Sequence, residues 1–362
     1  MLSLAALPHR PDDEAPSIRL LDRLLRDAVE AKCSDMHLDP SPQGGRVRIR
    51  RDGMLRLVQA CDIDQFRRLI VRIKVLAELD IAQHRLPQDG RFSIRHDDRV
   101  IEMRVATLPT LFGERISIRF IDSSSALLDL TALGMAPEMQ AEAQSLVQGE
   151  GGLIVICGPT GSGKTTTLYR LVALRDADAE HICTVEDPIE QVLPGATQSQ
   201  VSNRSGATFD DLSRALLRAD PNVVVLGEMR DQSTAHIAVR AALSGHLVLT
   251  TLHARDALSV FERLRDLGVE NQVLAHVLKG VIGQRLLSFQ SKSGRVAVFE
   301  LLTIDATMRL MLTKNCVRKN MRDSLRRKNW QSMQMSASAL CTAGVIAYEE
   351  LLRVFGSHGS DE

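Results

Sequence analysis

The segment Gly158-Pro159-Thr160-Gly161-Ser162-Gly163-Lys164-Thr165 constrains this chain more than any other. It fits G-x-x-x-x-G-K-[ST], it follows the apolar run 153–157, and Thr166-Thr167-Leu168-Tyr169-Arg170-Leu171 continues it as a helix. Glycines let backbone N–H groups turn inward around phosphate oxygens, and the helix N-terminus adds partial positive charge. Lys164 then reaches the outer phosphates and the Thr165 hydroxyl is placed to enter a Mg²⁺ shell, with Thr166 beside it in the first turn. A glycine-rich turn that binds nothing needs neither the full pattern nor both flanks. The reading is a nucleoside triphosphate site on an α/β sheet.

The surrounding sequence supplies that sheet. Four apolar runs, 153–157, 182–185, 223–226 and 247–249, alternate with helical spacing, as strands of a parallel sheet do. Each is followed by chemically capable residues: Lys164, Glu186-Asp187, Glu228, and Thr250-Thr251-Leu252-His253. Ligands of doubly wound sheets bind off the carboxyl ends of the strands, so these groups are expected at one edge.

Ahead of this region the pattern differs. Apolar residues at Leu21, Leu24, Leu25 and Ala28 predict a helix over 18–31. Val47 and Ile49 alternate with arginines, and Asp52-Gly53 turns the chain into 54–58, a hairpin signal. A helix is expected over 63–79, then strands at 92–95, 100–108 and 115–121. The expected organisation is a loose leader at 1–16, a smaller α+β domain at 17–121, a polar linker at 122–126, an α/β ATPase-type domain with a helical C-terminal part at 127–355, and a disordered tail at 356–362. From Asn271 onward the spacing reads as mainly helical, interrupted by Gly294 and the apolar stretch 296–302.

Composition narrows the function classes. Lys plus Arg equals Asp plus Glu at 45 each, and aromatic residues make up 3%, which argues against a nucleic-acid partner that needs basic charge and stacking platforms. No apolar run approaches about 18 residues, and Met1 to Arg10 lacks a basic start or a cleavage site, so neither a membrane span nor a signal peptide is expected. The six cysteines are scattered without a C-x-x-C pair, which argues against zinc and against a disulfide framework. A reduced, cytoplasmic protein is the expectation.

Glu186 and Glu228 are the candidate catalytic carboxylates. One is expected to sit in the Mg²⁺ shell through water (the assignment favours Glu228) and the other, Glu186, to polarise the attacking water. Either residue alone could be a surface ion-pair partner; their places at the ends of two apolar strands favour function. His253, just past a strand end, is a candidate to sense the γ-phosphate, whereas His246 equally suits packing at the strand's start. Arg91, Arg104, Arg115 and Arg119 are either alternating residues of a solvated strand face or a source of a guanidinium aimed at the phosphates. The basic stretch 314–328 reads as a solvated helical face, with acidic lipid or a partner as the alternative.

Several segments in order resemble the secretion ATPase superfamily of type II secretion and type IV pilus assembly. They are Cys33-Ser34-Asp35-Met36-His37-Leu38-Asp39-Pro40, Leu86-Pro87-Gln88-Asp89-Gly90-Arg91, the P-loop with Thr166-Thr167-Leu168-Tyr169, Val185-Glu186-Asp187-Pro188-Ile189-Glu190, Gly227-Glu228-Met229-Arg230-Asp231, and Gly245-His246 through His253-Ala254. The resemblance implies a PAS-like first domain and a RecA-like ATPase domain. It also implies a homo-hexamer, nucleotide between the two domains, and hydrolysis coupled to domain rotation. Residues matching Arg91 and Arg104, and Arg119 with them, would reach the phosphates on closure. Partners implied are an inner-membrane platform protein and an associated cytoplasmic docking protein, with the chain peripheral to that membrane and no nucleic acid bound. The Leu-Pro-Gln-Asp-Gly-Arg string is nearer the assembly and secretion branch than the retraction branch. Larger relatives carry a further N-terminal domain, and many insert a four-cysteine zinc module after the segment matching Gln284-Arg285-Leu286-Leu287. Here a short leader and 288–295 stand in those places, so zinc is not expected. The alternatives are a RecA-like hexameric motor for nucleic-acid or conjugative transport, and a non-hydrolysing nucleotide switch or scaffold.

Overall fold

The computed structural model describes residues 16–97, 99–122, 129–201 and 206–356. Backbone contacts divide the chain into two units, Met1–Ala126 and Leu127–Glu362. The expected leader up to residue 15, the linker beyond Asp122, and the tail beyond Gly356 lie outside the described residues.

In the first unit, α1 (Pro16–Glu30) leads into β1 (Asp35–Ser41), β2 (Gly44–Arg51) and β3 (Met54–Cys61), then α2 (Ile63–Leu76), β4 (Gln88–His96), β5 (Arg99–Thr110) and β6 (Gly113–Asp122). The strands form one antiparallel sheet in the order β3-β2-β1-β6-β5-β4. Period-two alternation decides its faces. Met36, Leu38, Phe92, Ile94, Ile101, Met103, Val105, Ile116 and Ile118 are buried in one core with Leu21, Leu24 and Leu25 of α1 and Phe66, Leu69 and Ile73 of α2. Their neighbours along each strand therefore occupy the opposite face. β1 was not foreseen from the sequence, although Met36 and Leu38 alternate with polar residues there. The segment between α2 and β4 is held by a buried Lys74–Glu114 ion pair at 2.8 Å, by His84 Nδ1 at 2.6 Å from the same carboxylate, and by Lys74 donating to the Gln83 carbonyl. β4 passes so close to the end of α2 that a Cβ on Gly90 would lie 2.4 Å from the Ala77 carbonyl oxygen.

The second unit begins with α3 (Pro137–Gln148), β7 (Gly152–Cys157), α4 (Lys164–Val172), β8 (Ile182–Glu186), β9 (Thr197–Gln200), α5 (Phe209–Leu216), β10 (Val223–Leu226), α6 (Gln232–Leu243) and β11 (Leu247–Leu252). It continues with α7 (Ser259–Asp266), α8 (Asn271–Val277), β12 (Leu278–Ser288), β13 (Arg295–Thr303), α9 (Ala306–Thr313), α10 (Arg318–Arg326), α11 (Met333–Thr342) and α12 (Tyr348–Phe355). The sheet runs β13-β12-β7-β11-β10-β8-β9, parallel throughout except for the β12–β13 hairpin. β7 shows why its strands read as unbroken apolar runs: Leu153, Val155 and Cys157 pack into the core on one face and Ile154 and Ile156 into the core on the other.

The helical reading from Asn271 onward is corrected here. Residues 278–288 form a strand between β7 and β13, and 295–303 form its antiparallel partner, before four helices complete the chain's described end. Burial on both faces removes the alternation that marks a half-exposed strand, so apolar residues spaced three and four apart imitate a helix.

Candidate active site

β7 ends at Cys157, and the loop that follows takes positive φ at Gly158, Gly161 and Gly163 before α4 starts at Lys164. Two of these glycines are also required by space: a Cβ on Gly158 would lie 2.4 Å from the Gln284 carbonyl oxygen, and one on Gly163 2.9 Å from Gln284 Nε2. Lys164 is buried and donates to the carbonyls of Gly158 and Pro159, both at 3.0 Å. Burial lowers its pKa, and the Glu228 carboxylate pulls the other way. Thr165 is half-buried and Pro159, Thr160 and Thr166 are exposed, while the Ser162 hydroxyl is buried without a protein partner. The Lys164 ammonium and the unpartnered Ser162 hydroxyl, both beside the N-terminus of α4, are donors that suit phosphate oxygens.

The two glutamates stand at the ends of adjacent parallel strands but in different surroundings. Glu186 is 2% exposed. Its Oε1 accepts from the Thr184 hydroxyl at 2.6 Å and from Gln198 Nε2 at 3.0 Å, and its Oε2 accepts a short hydrogen bond from the Tyr169 hydroxyl. Burial and the neighbouring Glu186 charge push the Tyr169 phenol far up, so it remains a donor. Glu228 is more open. Arg230 Nε donates to it at 2.8 Å, and His253 Nε2 lies 2.9 Å from its Oε1. Arg230 also donates to Asp187 at 3.2 Å, which links the strand ends of β8, β10 and β11 in one charged row. His246 is at the other end of β11, with Nδ1 2.9 Å from the Ala241 carbonyl oxygen, a place that ties strand to helix and lies away from the P-loop chemistry.

In the first unit, cross-strand register joins Arg91 to Arg104, Arg104 to Arg119, Arg119 to Asp35 and Asp35 to Arg50. Arg91, Arg104 and Arg119 therefore stand side by side on the polar sheet face. Like charges directly opposite one another are destabilising in a sheet. Part of that charge is met by Asp35, 3.1 Å from Arg119, and by Glu102, 3.8 Å from Arg104.

Four residues with contacts at the site were given no role in the reading of the sequence. Gln284 of β12 walls the P-loop and accepts from the Thr167 hydroxyl at 2.7 Å. Arg295, at the start of β13, donates to the Gly161 carbonyl at 3.3 Å. Tyr169 and Arg230 hold the two carboxylates. Tyr169, Arg230 and Gln284 stand inside segments quoted for the family resemblance, where no contact was assigned to them. Among the described residues no group of three or more His, Cys, Asp or Glu side chains is arranged to hold a metal, and no helix is long and apolar enough to cross a membrane.

A P-loop between a buried parallel strand and its helix, with glutamates at neighbouring strand ends and a smaller α+β unit ahead, defines a RecA-like P-loop ATPase. A match to the type II/IV secretion system protein model extends over residues 10–353, and the chain belongs to that family. It is 41% identical to the type II secretion system protein HxcR of Pseudomonas aeruginosa, over 94% of this chain and 78% of that protein. It is 43% identical to the type II secretion system ATPase E of Vibrio cholerae over 76% of this chain, where the match spans about half (55%) of that protein's length. Among solved structures, the ADP-bound pilus retraction motor PilT superposes with a TM-score of 0.68 at 26% identity, covering 92% of this chain and 96% of that one. The ATPase DotB of Legionella pneumophila shares the fold, with a TM-score of 0.75 at 23% identity over 99% of this chain and 100% of that one.

Proposed function

We propose that this chain is the Mg²⁺-dependent ATPase of a type II secretion or type IV pilus assembly system, acting in the cytoplasm as a homo-hexamer. On this reading, hydrolysis of ATP to ADP and phosphate drives rotation of the first domain relative to the second. The motion is passed to an inner-membrane platform protein and an associated cytoplasmic docking protein. The observation that supports it most is the charged row from Asp187 through Arg230 and Glu228 to His253, set beside Lys164 at the P-loop.

The roles divide as follows. Gly158 to Thr166 bind the phosphates through backbone amides, and Lys164 exchanges its two carbonyl partners for phosphate oxygens. Thr165 and Glu228 offer oxygen donors, which suits a hard cation, and they would hold Mg²⁺, Glu228 through water. Bound there, Mg²⁺ neutralises charge on the phosphates. Glu186 activates the attacking water. An ionised carboxylate has about four acceptor positions, and Thr184, Gln198 and Tyr169 fill three, so the group is held in one orientation with one position left for water. His253 follows the γ-phosphate through its bond to Glu228. Arg91 and Arg104, with Arg119, supply further cations, because a loose phosphoryl-transfer transition state spreads charge over several oxygens.

Lys164→Ala tests the site directly. Steady-state phosphate release falls to background while circular dichroism and the melting temperature stay near wild type, since the hydrogen bonds Lys164 gives up go to loop carbonyls. Wild-type turnover in the folded variant ends the assignment.

A further inference from the structure

β11 ends at Leu252, and His253 leaves it to meet Glu228. The next residues lead to α7, and three in succession are gripped from elsewhere. The Arg255 carbonyl accepts from Arg285 Nη2 at 3.1 Å. The Asp256 carboxylate accepts from Ser259 N at 2.9 Å, from the Ser259 hydroxyl at 2.7 Å and from Arg318 of α10. The Ala257 amide donates to Glu300 Oε1 at 2.6 Å. Arg285 and Glu300 belong to the two strands of one hairpin, β12 and β13, and each reaches onward to a C-terminal helix. Arg285 Nη1 donates to the Val354 carbonyl at 3.3 Å, with its guanidinium 5.5 Å from the centre of the Phe355 ring. Glu300 Oε2 accepts from the amide of Met333, the first residue of α11, at 3.1 Å.

Glu300 is 2% exposed, a costly place for a carboxylate, and an apolar side chain of similar volume would fill it at less expense. Space is kept for it deliberately: Gly283 stands opposite in the register, and a Cβ there would lie 2.7 Å from Glu300 Cγ. Two backbone amides from segments 76 positions apart in sequence, 257 and 333, converge on its two oxygens. A clip serving α11 alone would need one of them.

We propose that Glu300 and Arg285 are positioning residues for hydrolysis, clamping the backbone of 255–257 so that His253 is presented to Glu228 and its setting follows that of α11 and α12. The inference rests on the nucleotide-site reading above and adds to it a route by which the C-terminal helices bear on that site. Because Glu300 accepts from two amides at once, its ionised form completes the clamp best; protonation makes one oxygen a hydroxyl, a poorer acceptor for the N–H it faces, and loosens the grip. Burial pushes its pKa up to about 7, against the pull of the two amide bonds. The ionisable groups that bear on it are Asp256 from the β11–α7 segment, Arg318 from α10, Arg285 from β12 and Cys157 from β7. Burial raises Asp256, but its Ser259 and Arg318 bonds prevail and hold it low, while burial drives Cys157 well up.

The test is steady-state ATPase kinetics of the full chain from pH 6 to 8.5. In the wild type kcat rises through a limb near pH 7 while KM for ATP stays flat. In Glu300→Gln, which keeps the volume but offers one acceptor, kcat falls at least about tenfold with KM unchanged, and the limb is lost. Arg285→Lys, which keeps the charge but not the fork to Arg255 and Val354, lowers kcat without moving KM and retains the limb. If Glu300→Gln fails to fold, Arg285→Lys and the wild-type profile decide. A wild-type profile flat across pH 7, or folded variants with wild-type kcat, overturns the proposal. Such a result beside an inactive Lys164→Ala removes the clamp while leaving the nucleotide site standing.

Discussion

The two sheets of this protein carry their chemistry in opposite ways. In the second unit the central strands β7, β8, β10 and β11 are parallel and buried on both faces, and the groups assigned to the site stand where those strands end: the P-loop after β7, Glu186 closing β8, Glu228 after β10 and His253 after β11. In the first unit the strands are antiparallel with one face in the core, and the polar groups run across the other face, arginine beside arginine. One arrangement concentrates unlike groups at a single edge; the other repeats one group along a surface.

The most severe way to break that comparison is to remove a cation from the repeated surface. Arg104→Ala, in the middle of the row, cuts kcat by about 10³-fold while nucleotide affinity changes little, the range expected for a guanidinium acting on the transition state; Arg91→Ala follows in the same direction. Wild-type turnover in either folded variant removes that residue from the chemistry and leaves a solvated face.

A smaller effect sharpens the other half. Glu186→Gln and Glu228→Gln each slow hydrolysis by about 10²-fold or more and retain nucleotide binding. They differ in magnesium titrations, where Glu228→Gln alone requires more Mg²⁺. The reverse result exchanges the two roles.

Below these lies a structural test of the polar face. Gly90→Ala pushes a methyl against the Ala77 carbonyl at the base of β4, one residue from Arg91, and destabilises the protein by about 1–3 kcal/mol. Chemical denaturation measures it, and an unchanged midpoint shows that β4 shifts freely. The smallest expectation is no effect at all: metal analysis finds no stoichiometric zinc, since the 288–295 turn lacks cysteine, and about one tightly held zinc per chain shows the cysteines were misread.

What the sequence disclosed follows the same division. The parallel strands around the P-loop were legible because each is a short apolar run punctuated by a polar group. The arginine alternation was legible too, but the row was not, because register across β4, β5 and β6 belongs to pairing and not to spacing. β12 was missed because most of it is covered on both faces and so has no exposed face to betray its period, and β9 because Thr197–Gln200 is a polar edge. Tyr169 on Glu186, Gln284 against the P-loop, and Glu300 on two distant amides are contacts between segments that no local pattern links.

The row of Arg91, Arg104 and Arg119 has a practical consequence for anyone handling this protein. A chain with 45 basic and 45 acidic residues looks electrically inert in a pI calculation, yet it carries a patch whose charges repel one another. Multivalent anions relieve that repulsion, so sulfate and phosphate raise the thermal midpoint more than chloride does at equal ionic strength. On the proposed role of the row in hydrolysis, the same anions compete with ATP. A phosphate buffer chosen because it keeps the protein stable will therefore understate its turnover, and the two effects will scale together with buffer concentration.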